Sequence, residues 1–547
     1  MAKKFSDSNL QSLPACATEF IKLVIKNMRY RKKVQADVLA ELAAHFEDGL
    51  RDCQTDEEKE QKAQKLIEDF GDSKLLGVLL RRAKKRCRPL WRTVIVRTFQ
   101  TTGVLILCLI FYCFYISLGR PNITINYVQQ ANLLVRPVAD ESLNAAPLYQ
   151  KAFAAYKEPP KIELKEKHCI EQLSIEEFSA LKQWLSDNND AIRFFRQAGE
   201  RPYCWWQRQT KNDIVINVIM PELSSVKKMA TVIAWHAKLK AQDGNIEEAL
   251  DDLLACYRAG MHLKGPRSLV EQLVGMAIQA LSVWGVFDIL DNQKIDGQLL
   301  KSLLDKFQDL VGRDSFVASY DVERFCGLDF LQRCYTDNGR GSGHMIPGRA
   351  KECFHLMREY NTESEFGEFG RFLVMSLAST DREQMNREFD KMYNIGQEWA
   401  YKTPWQLRQE NADLGMGMEN WSFFRKARLW PIQIFVPVVA QVSEIAHRAK
   451  AYCEALITVM SILRYKQIHG VYPENLNKLL ETDLLTKLPM DPFSDKPLVY
   501  RKTDDGFTLY SVGRNFTDDG GKPSLDRKGK PKSWADDGDA VFWPVQK

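Results

Sequence analysis

The chain is short of the patterns on which most enzymatic chemistry is built. Its 547 residues include eight histidines, and none stands in the HExxH pair of a zinc protease. There is no GxSxG elbow to present a nucleophilic serine and no phosphate-cradling loop. Twelve cysteines occur without one CxxC pair, which excludes a zinc ribbon and a thioredoxin-type site. No catalytic residue is singled out on these grounds. A strong charge of one sign is missing as well. Residues 1–92 hold 20 Lys and Arg against 14 Asp and Glu, which leaves 56 against 57 in the remainder. A nucleic-acid-binding surface over the whole protein is therefore not expected. The composition, 45% hydrophobic and 27% charged, is that of globular protein and excludes long disorder. A chain of this length outgrows one hydrophobic core, so several domains are expected.

Charge is absent altogether from Phe99 to Leu118, FQTTGVLILCLIFYCFYISL. A helix of this length reaches about 30 Å, the thickness of a bilayer's hydrocarbon core. Just before it stands RRAKKRCRPLWR, Arg81 to Arg92, with seven Lys and Arg and no acid. Such flanks stay on the cytoplasmic side, which puts the N-terminus inside and the C-terminus outside the inner membrane. Trp91, Tyr112 and Tyr115 suit interfacial positions. A cleaved signal peptide would sit at the extreme N-terminus instead. A core helix would need a domain around it on every side.

Seven cysteines (Cys169, Cys204, Cys256, Cys326, Cys334, Cys353 and Cys453) follow this segment, where disulfides are chemically permitted. Cys326 and Cys334 fall on one predicted helix about 12 Å apart, too far to bridge. Most of the seven read as small buried apolar residues.

Before the apolar segment, Val34, Val38, Leu42 and Phe46 recur at helical spacing. Thr55 and Glu58 form a capping box, and Phe70-Gly71-Asp72 gives a glycine stop followed by a new N-cap. His45, with Glu41 and Asp48 at helical spacing, reads either as a weak metal site or as a solvated face. The run VQADVLAELAAHFED and the FGD turn resemble the small helical HAAS-type signalling domains that precede membrane spans in bacterial proteins. The resemblance implies protein–protein signalling rather than catalysis.

Beyond the segment the periodicity is helical from about 140 to 450. Asn144 to Pro147 reads as a helix start, and Leu181 to Ala198 as helix body. Ala230 to Gly260 resembles a tetratricopeptide-type hairpin: Ala234, Ala237 and Ala241 line one helix, Gly244-Asn245 turns, and Glu248-Ala249-Leu250 opens the next. One copy predicts an irregular helical array rather than a solenoid. His236 and His262 read as packed or solvated, and Cys204-Trp205-Trp206 as an aromatic cluster or a stacking platform. Asn338 to Gly348 reads as a mobile glycine-rich loop. Trp421 to Pro437, aromatic but broken by Arg425, Lys426, Arg428 and two prolines, suits packing against a neighbour or skimming a membrane surface.

The last hundred residues run from a long helix through Tyr472-Pro473, Pro489 and Asp491-Pro492 to the strand-like GFTLYSVG and an acidic, glycine-rich tail. This order resembles the globular head of the major pseudopilin of type II secretion systems, the protein G-like subunit. The resemblance implies a small antiparallel sheet and a structural calcium ion. In its register the turn carbonyl falls on Val512, the family's acidic ligand near Asn515, and the closing DxD on Asp537 and Asp539. Asp518 and Asp519 are further candidates. A neutral residue at Asn515 departs from the pattern. So does a span more than three hundred residues upstream, with no leader-processing motif before it.

The expected fold is mainly α in four parts: a cytoplasmic helical domain and basic segment over 1–92, a transmembrane helix over 94–118, an extracytoplasmic helical domain over 120–440, and a pseudopilin-like α+β module over 441–547. The expected work is binding, scaffolding or signal relay at the bilayer with envelope protein partners. The rivals are a membrane-anchored hydrolase and an accessory component of a secretion or pilus-like system.

Overall fold

The computed structural model describes residues 10–86, 90–137, 139–160, 170–210, 212–218, 220–357, 365–412, 418–435, 438–526 and 529–545. The chain is mainly helical with small antiparallel sheets, and it divides into two compact units, Met1–Tyr112 and Cys113–Lys547.

The first unit opens with α1 (Ala15–Met28), α2 (Lys32–Leu50), α3 (Asp56–Phe70) and α4 (Ser73–Arg86). Their apolar stripes meet on Phe20, Ile21, Val24, Val38, Leu42 and Phe46, with Phe70 closing an aromatic triangle on Phe20 and Phe46. The Thr55–Glu58 capping box forms at the start of α3, and Gly71, at φ +71°, ends it. Gly77 lets α4 lie directly on α1: a Cβ there would stand 2.9 Å from the Val24 carbonyl oxygen. His45 sits on the exposed face against the edge of Phe70, while Glu41 pairs with Lys84 at 2.6 Å.

Next comes α5 (Leu90–Ser117), whose apolar side chains stand exposed along most of its length; Leu105 is 68% exposed and Phe111 64%. Among the described residues, two helices are long and apolar enough to cross a membrane. One is α5 from Val94 onward; the other, Leu269–Asn292, is largely buried within the second unit.

In the second unit α6 (Tyr127–Val135), α7 (Ala146–Ala155), α8 (Ile175–Asp187) and α9 (Asn189–Gly199) precede the hairpin of α10 (Pro221–Gln242) and α11 (Ile246–Met261). Pro147 sits in the first turn of α7. The stretch Leu181 to Ala198 is divided, because buried Asn188 spends its side chain on the Lys157 N–H (2.9 Å) and the Trp184 carbonyl (2.8 Å). Gly244, at φ +81°, makes the expected turn of the hairpin. Then follow α12 (Leu269–Asn292), α13 (Gly297–Arg313), α14 (Asp321–Cys334), α15 (Pro347–Met357), α16 (Glu365–Ala378), α17 (Arg382–Ala400), α18 (Pro404–Gln409), α19 (Phe423–Arg428), α20 (Ile432–Phe435), α21 (Val438–His469) and α22 (Asn477–Glu481).

The 32-residue α21 packs against α12 and α13 on one side and the C-terminal sheet on another. One continuous core therefore joins Leu253 and Phe287 to Leu456, Leu509 and Phe542, across the boundary expected at residue 441. That sheet is β3 (Val499–Lys502), β4 (Phe507–Ser511) and β5 (Ala540–Trp543), antiparallel in that order, beside a short pair β1 (Met490–Asp491) and β2 (Lys496–Pro497). The strand-like GFTLYSVG is β4. Cys326 and Cys334 share α14 as expected, and the described cysteines after α5 are free thiols; Cys169 lies outside the described residues. The loop at Asn338 to Gly348 is tied down, with Thr336 N–H on His344 O (2.9 Å) and Asn338 N–H on Ser342 O (2.8 Å). The segment from Trp421 forms α19 and α20, and Pro437 lies outside the described residues.

At the crossing of α11 and α12 the backbones touch. A Cβ on Gly275 would stand 2.6 Å from the Gly260 carbonyl oxygen, and one on Gly260 would stand 2.6 Å from that of Gly275. Backbone atoms cannot step aside, so Gly275→Val should cost at least the 1–3 kcal/mol typical of overpacking, about several degrees of thermal midpoint. Gly312→Ala, on α13 with nothing within 4 Å of the new Cβ, should leave the midpoint unchanged or slightly higher. Equal losses at both positions, measured by differential scanning calorimetry, would contradict this packing.

Candidate ligand site

The Gly260–Gly275 crossing fixes the turn between α11 and α12, His262-Leu263-Lys264-Gly265-Pro266-Arg267. Gly265 supplies a left-handed φ of +89°. Ser268 then caps α12 in a reciprocal box with Glu271 (Glu271 N–H to Ser268 Oγ, 3.3 Å; Ser268 N–H to Glu271 Oε2, 3.1 Å).

Each polar side chain of this turn has a defined task. His262 Nε2 lies 2.9 Å from the Arg201 carbonyl, which can only accept, so Nε2 carries the proton. Nδ1 is then the acceptor for the Tyr149 hydroxyl at 3.0 Å. Burial pushes the His262 pKa down to about 4, which keeps the imidazole neutral. Lys264 Nζ meets Asp314 Oδ1 at 2.8 Å and Gln279 Oε1 at 3.0 Å. Asp314 Oδ2 accepts from Tyr257 (3.0 Å) and Gln279 (2.6 Å). Burial pulls the Lys264 pKa down, and the Asp314 charge opposes it. Arg267 donates to Glu271 Oε1 at 3.1 Å and to the Cys204 carbonyl, while Arg208 holds the other Glu271 oxygen. Two buried guanidiniums share that carboxylate, a local surplus of positive charge.

Around the turn lies a cavity of about 470 Å³, lined by Arg201, Arg258, Lys264, Arg267 and Arg313, with Glu200 its one acidic residue. Val135, Met261 and Leu310 supply apolar wall. Lys264, Arg267 and Arg313 have the carboxylates of Asp314, Glu271 and Asp309. Among the described residues, the Arg201 guanidinium donates only to the Ser142 carbonyl, at 3.3 Å, and Arg258 forms no ion pair. A cavity of this size suits a small organic ligand. Asp314 also lines a second cavity, of about 530 Å³, with Lys450, Glu454 and Lys487.

This assembly is not legible in the sequence, because its residues come from four separated stretches. The basic turn Lys264-Gly265-Pro266-Arg267, after a helix stop, was the one signal available.

His236 belongs to a smaller cavity of about 300 Å³. Its Nδ1 lies 2.6 Å from Asp252 Oδ2, and Arg196 Nε donates to Oδ1 of the same buried carboxylate at 2.6 Å. The pair has the form of an oriented general base, yet no serine, threonine or cysteine lines that cavity. Its work is to tie α9, α10 and α11 together. At Cys204-Trp205-Trp206, Cys204 is buried, Trp206 packs on Tyr149 with ring centroids 5.9 Å apart, and Arg136 covers Trp205 at 5.1 Å.

The acidic residues expected at the C-terminus come together in part. Asp539 is fully buried, its carboxylate accepting from the Asp519 (3.2 Å) and Gly521 (2.7 Å) N–H groups. Asp518 accepts from Tyr510 Oη (2.8 Å) and Gly520 N–H (2.9 Å), and Asn515 Nδ2 donates to Asp519 (2.7 Å). Burial raises the Asp539 pKa, and the charges of Asp518 and Asp519 add to the rise. Asp537 is exposed, and the Val512 N–H is held by buried Asp491 at 3.0 Å. Asp491 also accepts from Ser511, Phe493 and Ser494, so it is the organising carboxylate of this module. Among the described residues no three His, Cys, Asp or Glu side chains converge as a metal site.

No family model, no curated protein and no solved structure matches the chain.

Close to the cationic turn, Glu323 is half-buried, with Oε1 on the Leu269 N–H at 2.6 Å and a buried Oε2 that has no hydrogen-bond partner among the described residues. Burial pushes its pKa up to about 7, and the neighbouring Glu271 charge contributes. The folded chain thus keeps a proton that an unfolded glutamate releases near pH 4.5. Its stabilisation is complete below that pH and is lost as pH rises through 7, a difference of about 3 kcal/mol. Glu323→Gln should therefore stabilise the protein at pH 8 and bring little at pH 4.5, measured as the variant's midpoint minus the wild type's. A difference independent of pH would contradict the assignment.

Proposed function

We propose that the protein is a single-pass, membrane-anchored binding protein of the bacterial envelope whose outer helical unit takes a small organic anion. Support for anchoring comes from the exposed apolar length of α5, the Arg81–Arg92 cluster before it and the positive-inside rule. In this arrangement residues 1–88 form a cytoplasmic helical unit, and its HAAS-like pattern fits it to dock a signalling partner. The single observation that carries ligand binding is the cavity at the α11–α12 turn, where five cationic side chains face one acid. Arg201 and Arg258 bring guanidiniums that no carboxylate neutralises among the described residues, next to the buried surplus at Arg267. Guanidinium forks match carboxylate and phosphate oxygens, and apolar wall suits a carbon body.

The C-terminal module serves, on this reading, as a fixed cap on the helical unit, in keeping with its pseudopilin-like order. Calcium is part of the proposal as a stabiliser of the Asn515–Asp539 excursion. The support is one-sided but specific: the charges of Asp518 and Asp519 add to the rise in the Asp539 pKa, and a cation would relieve that repulsion.

Two measurements on the full-length protein in lipid nanodiscs test these points. Phenyl phosphate and citrate should bind by calorimetry, with phenol as the neutral control. A hydrogen bond to a charged group is worth about 1.5–3 kcal/mol, so the double change Arg201→Gln, Arg258→Gln should weaken binding by about a hundredfold. Absence of binding by both anions, or unchanged binding by the double variant, would remove the ligand reading. For calcium, saturation at one hundred times the dissociation constant should add about 2.7 kcal/mol. Asp518→Asn, Asp539→Asn should abolish the gain, and identical melting with calcium and with chelator would sink it.

A further inference from the structure

The last turn of α5, from Cys113, belongs to the second unit and packs within it. Ile116 is 1% exposed, and the Tyr115 ring lies 5.0 Å from that of His344. Gly119 follows, so close to its seat that a Cβ would stand 2.5 Å from Thr336 Cγ2. The segment Thr336–Ile346 is therefore the surface on which the apolar helix ends.

Hydrogen bonds run from that seat to α19. The Arg382 N–H donates to the Gly343 carbonyl at 3.0 Å, and Arg382 Nη1 reaches the Asn122 carbonyl at 3.4 Å. Two residues earlier, the Thr380 N–H donates to the Arg428 carbonyl at 3.1 Å, and Arg428 Nη2 returns to Thr380 Oγ1 at 3.1 Å. The helix Phe423–Arg428 is thus held through a short chain of contacts to the residues that receive the end of α5.

What α19 carries is unusual for a water-facing surface. Phe423 is 79% exposed and Phe424 76%, adjacent rings projecting from a six-residue helix. Val374, on the neighbouring α16, is 65% exposed. Arg425, Lys426 and Arg428 lie within the same six residues, and Arg425 stacks on Trp421 at 4.6 Å. Exposed aromatics beside cations are the composition of a bilayer interface: rings enter the acyl boundary while cations meet lipid phosphates.

We propose that Phe423 and Phe424 insert into the outer leaflet beside the exit of α5, giving the outer unit a second membrane contact. The occupant is the bilayer itself. A protein partner would need no fixed relation to the end of the apolar helix, whereas a bilayer surface must pass close to it. The contact rests on the reading of α5 as a span. Its consequence is orientation: a unit held at two points cannot swing freely about Leu118, so one face stays turned to the membrane.

The test uses full-length protein in nanodiscs of phosphatidylethanolamine and phosphatidylglycerol, with the photocrosslinker p-benzoylphenylalanine at one position per sample. Position 107, in mid-helix, reports on the span; 424 reports on the new contact; 175, where Ile175 is 89% exposed, gives the background. Lipid adducts detected by mass spectrometry should appear at 107 and 424 and stay at background at 175. Arg425→Gln with Lys426→Gln should lower the yield at 424 in anionic bilayers and leave that at 107 unchanged. Adducts at 107 with only background at 424 would overturn the second contact and leave the span standing. Background at both would overturn both. Protein–protein crosslinks at 424 in place of lipid would show that a partner covers the aromatic pair, and would overturn the membrane assignment.

Discussion

Exposed apolar surface is the constraint from which the account of this protein begins. Along α5 from Val94 to Phe114, valine, leucine, isoleucine and phenylalanine face outward. Each such side chain left in water forgoes about 1.5–3 kcal/mol relative to burial, so a whole helix of them requires an apolar surrounding. Leu269–Asn292 meets the same need differently: α10, α11 and α21 cover it, and it becomes the centre of a protein core. Two helices of similar composition therefore have opposite roles, and the difference lies in what packs on them. The helix α5 is also the element that joins the two units in sequence.

Within the second unit the further constraint is the contact of α11 with α12. Glycine at 260 and 275 brings the end of one helix and the start of the next within backbone distance. The turn between them then gathers His262, Lys264 and Arg267 into one place. Low polarity there would be costly for these groups, and the fold answers with hydrogen bonds: His262 is neutral and bonded at both nitrogens, and Lys264 is matched by Asp314. The cationic surplus at Arg208, Arg267 and Glu271 is the part left unbalanced, and it borders the cavity through Arg267.

Local signals were legible in the sequence. The Thr55–Glu58 box, the stop at Gly71, the turn at Gly244 and strand β4 depend on residues close in the chain, and they stand where their spacing puts them. Long-range organisation was not. Arg201, Arg258 and Arg313 come from separate elements, and nothing in their immediate neighbours marks them as one lining. Asn188 divides a continuous helical pattern because its amide finds partners at Lys157 and Trp184, a competition that periodicity does not reveal. At the C-terminus, the resemblance put Asp537 and Asp539 together as closing ligands. Instead Asp539 turns inward to backbone N–H groups and Asp537 stays in water. The order of that module was readable; the inward carboxylate Asp491 that organises it was not.

The most direct test of the whole account is the side of the membrane on which the C-terminal module lies. Alkaline phosphatase, which is active only outside the cytoplasm, should be fused after Lys547, and a cytoplasm-dependent fluorescent reporter before Met1. Phosphatase activity at the C-terminus together with fluorescence at the N-terminus is the expected result. An inactive phosphatase on a full-length, membrane-associated fusion would contradict it.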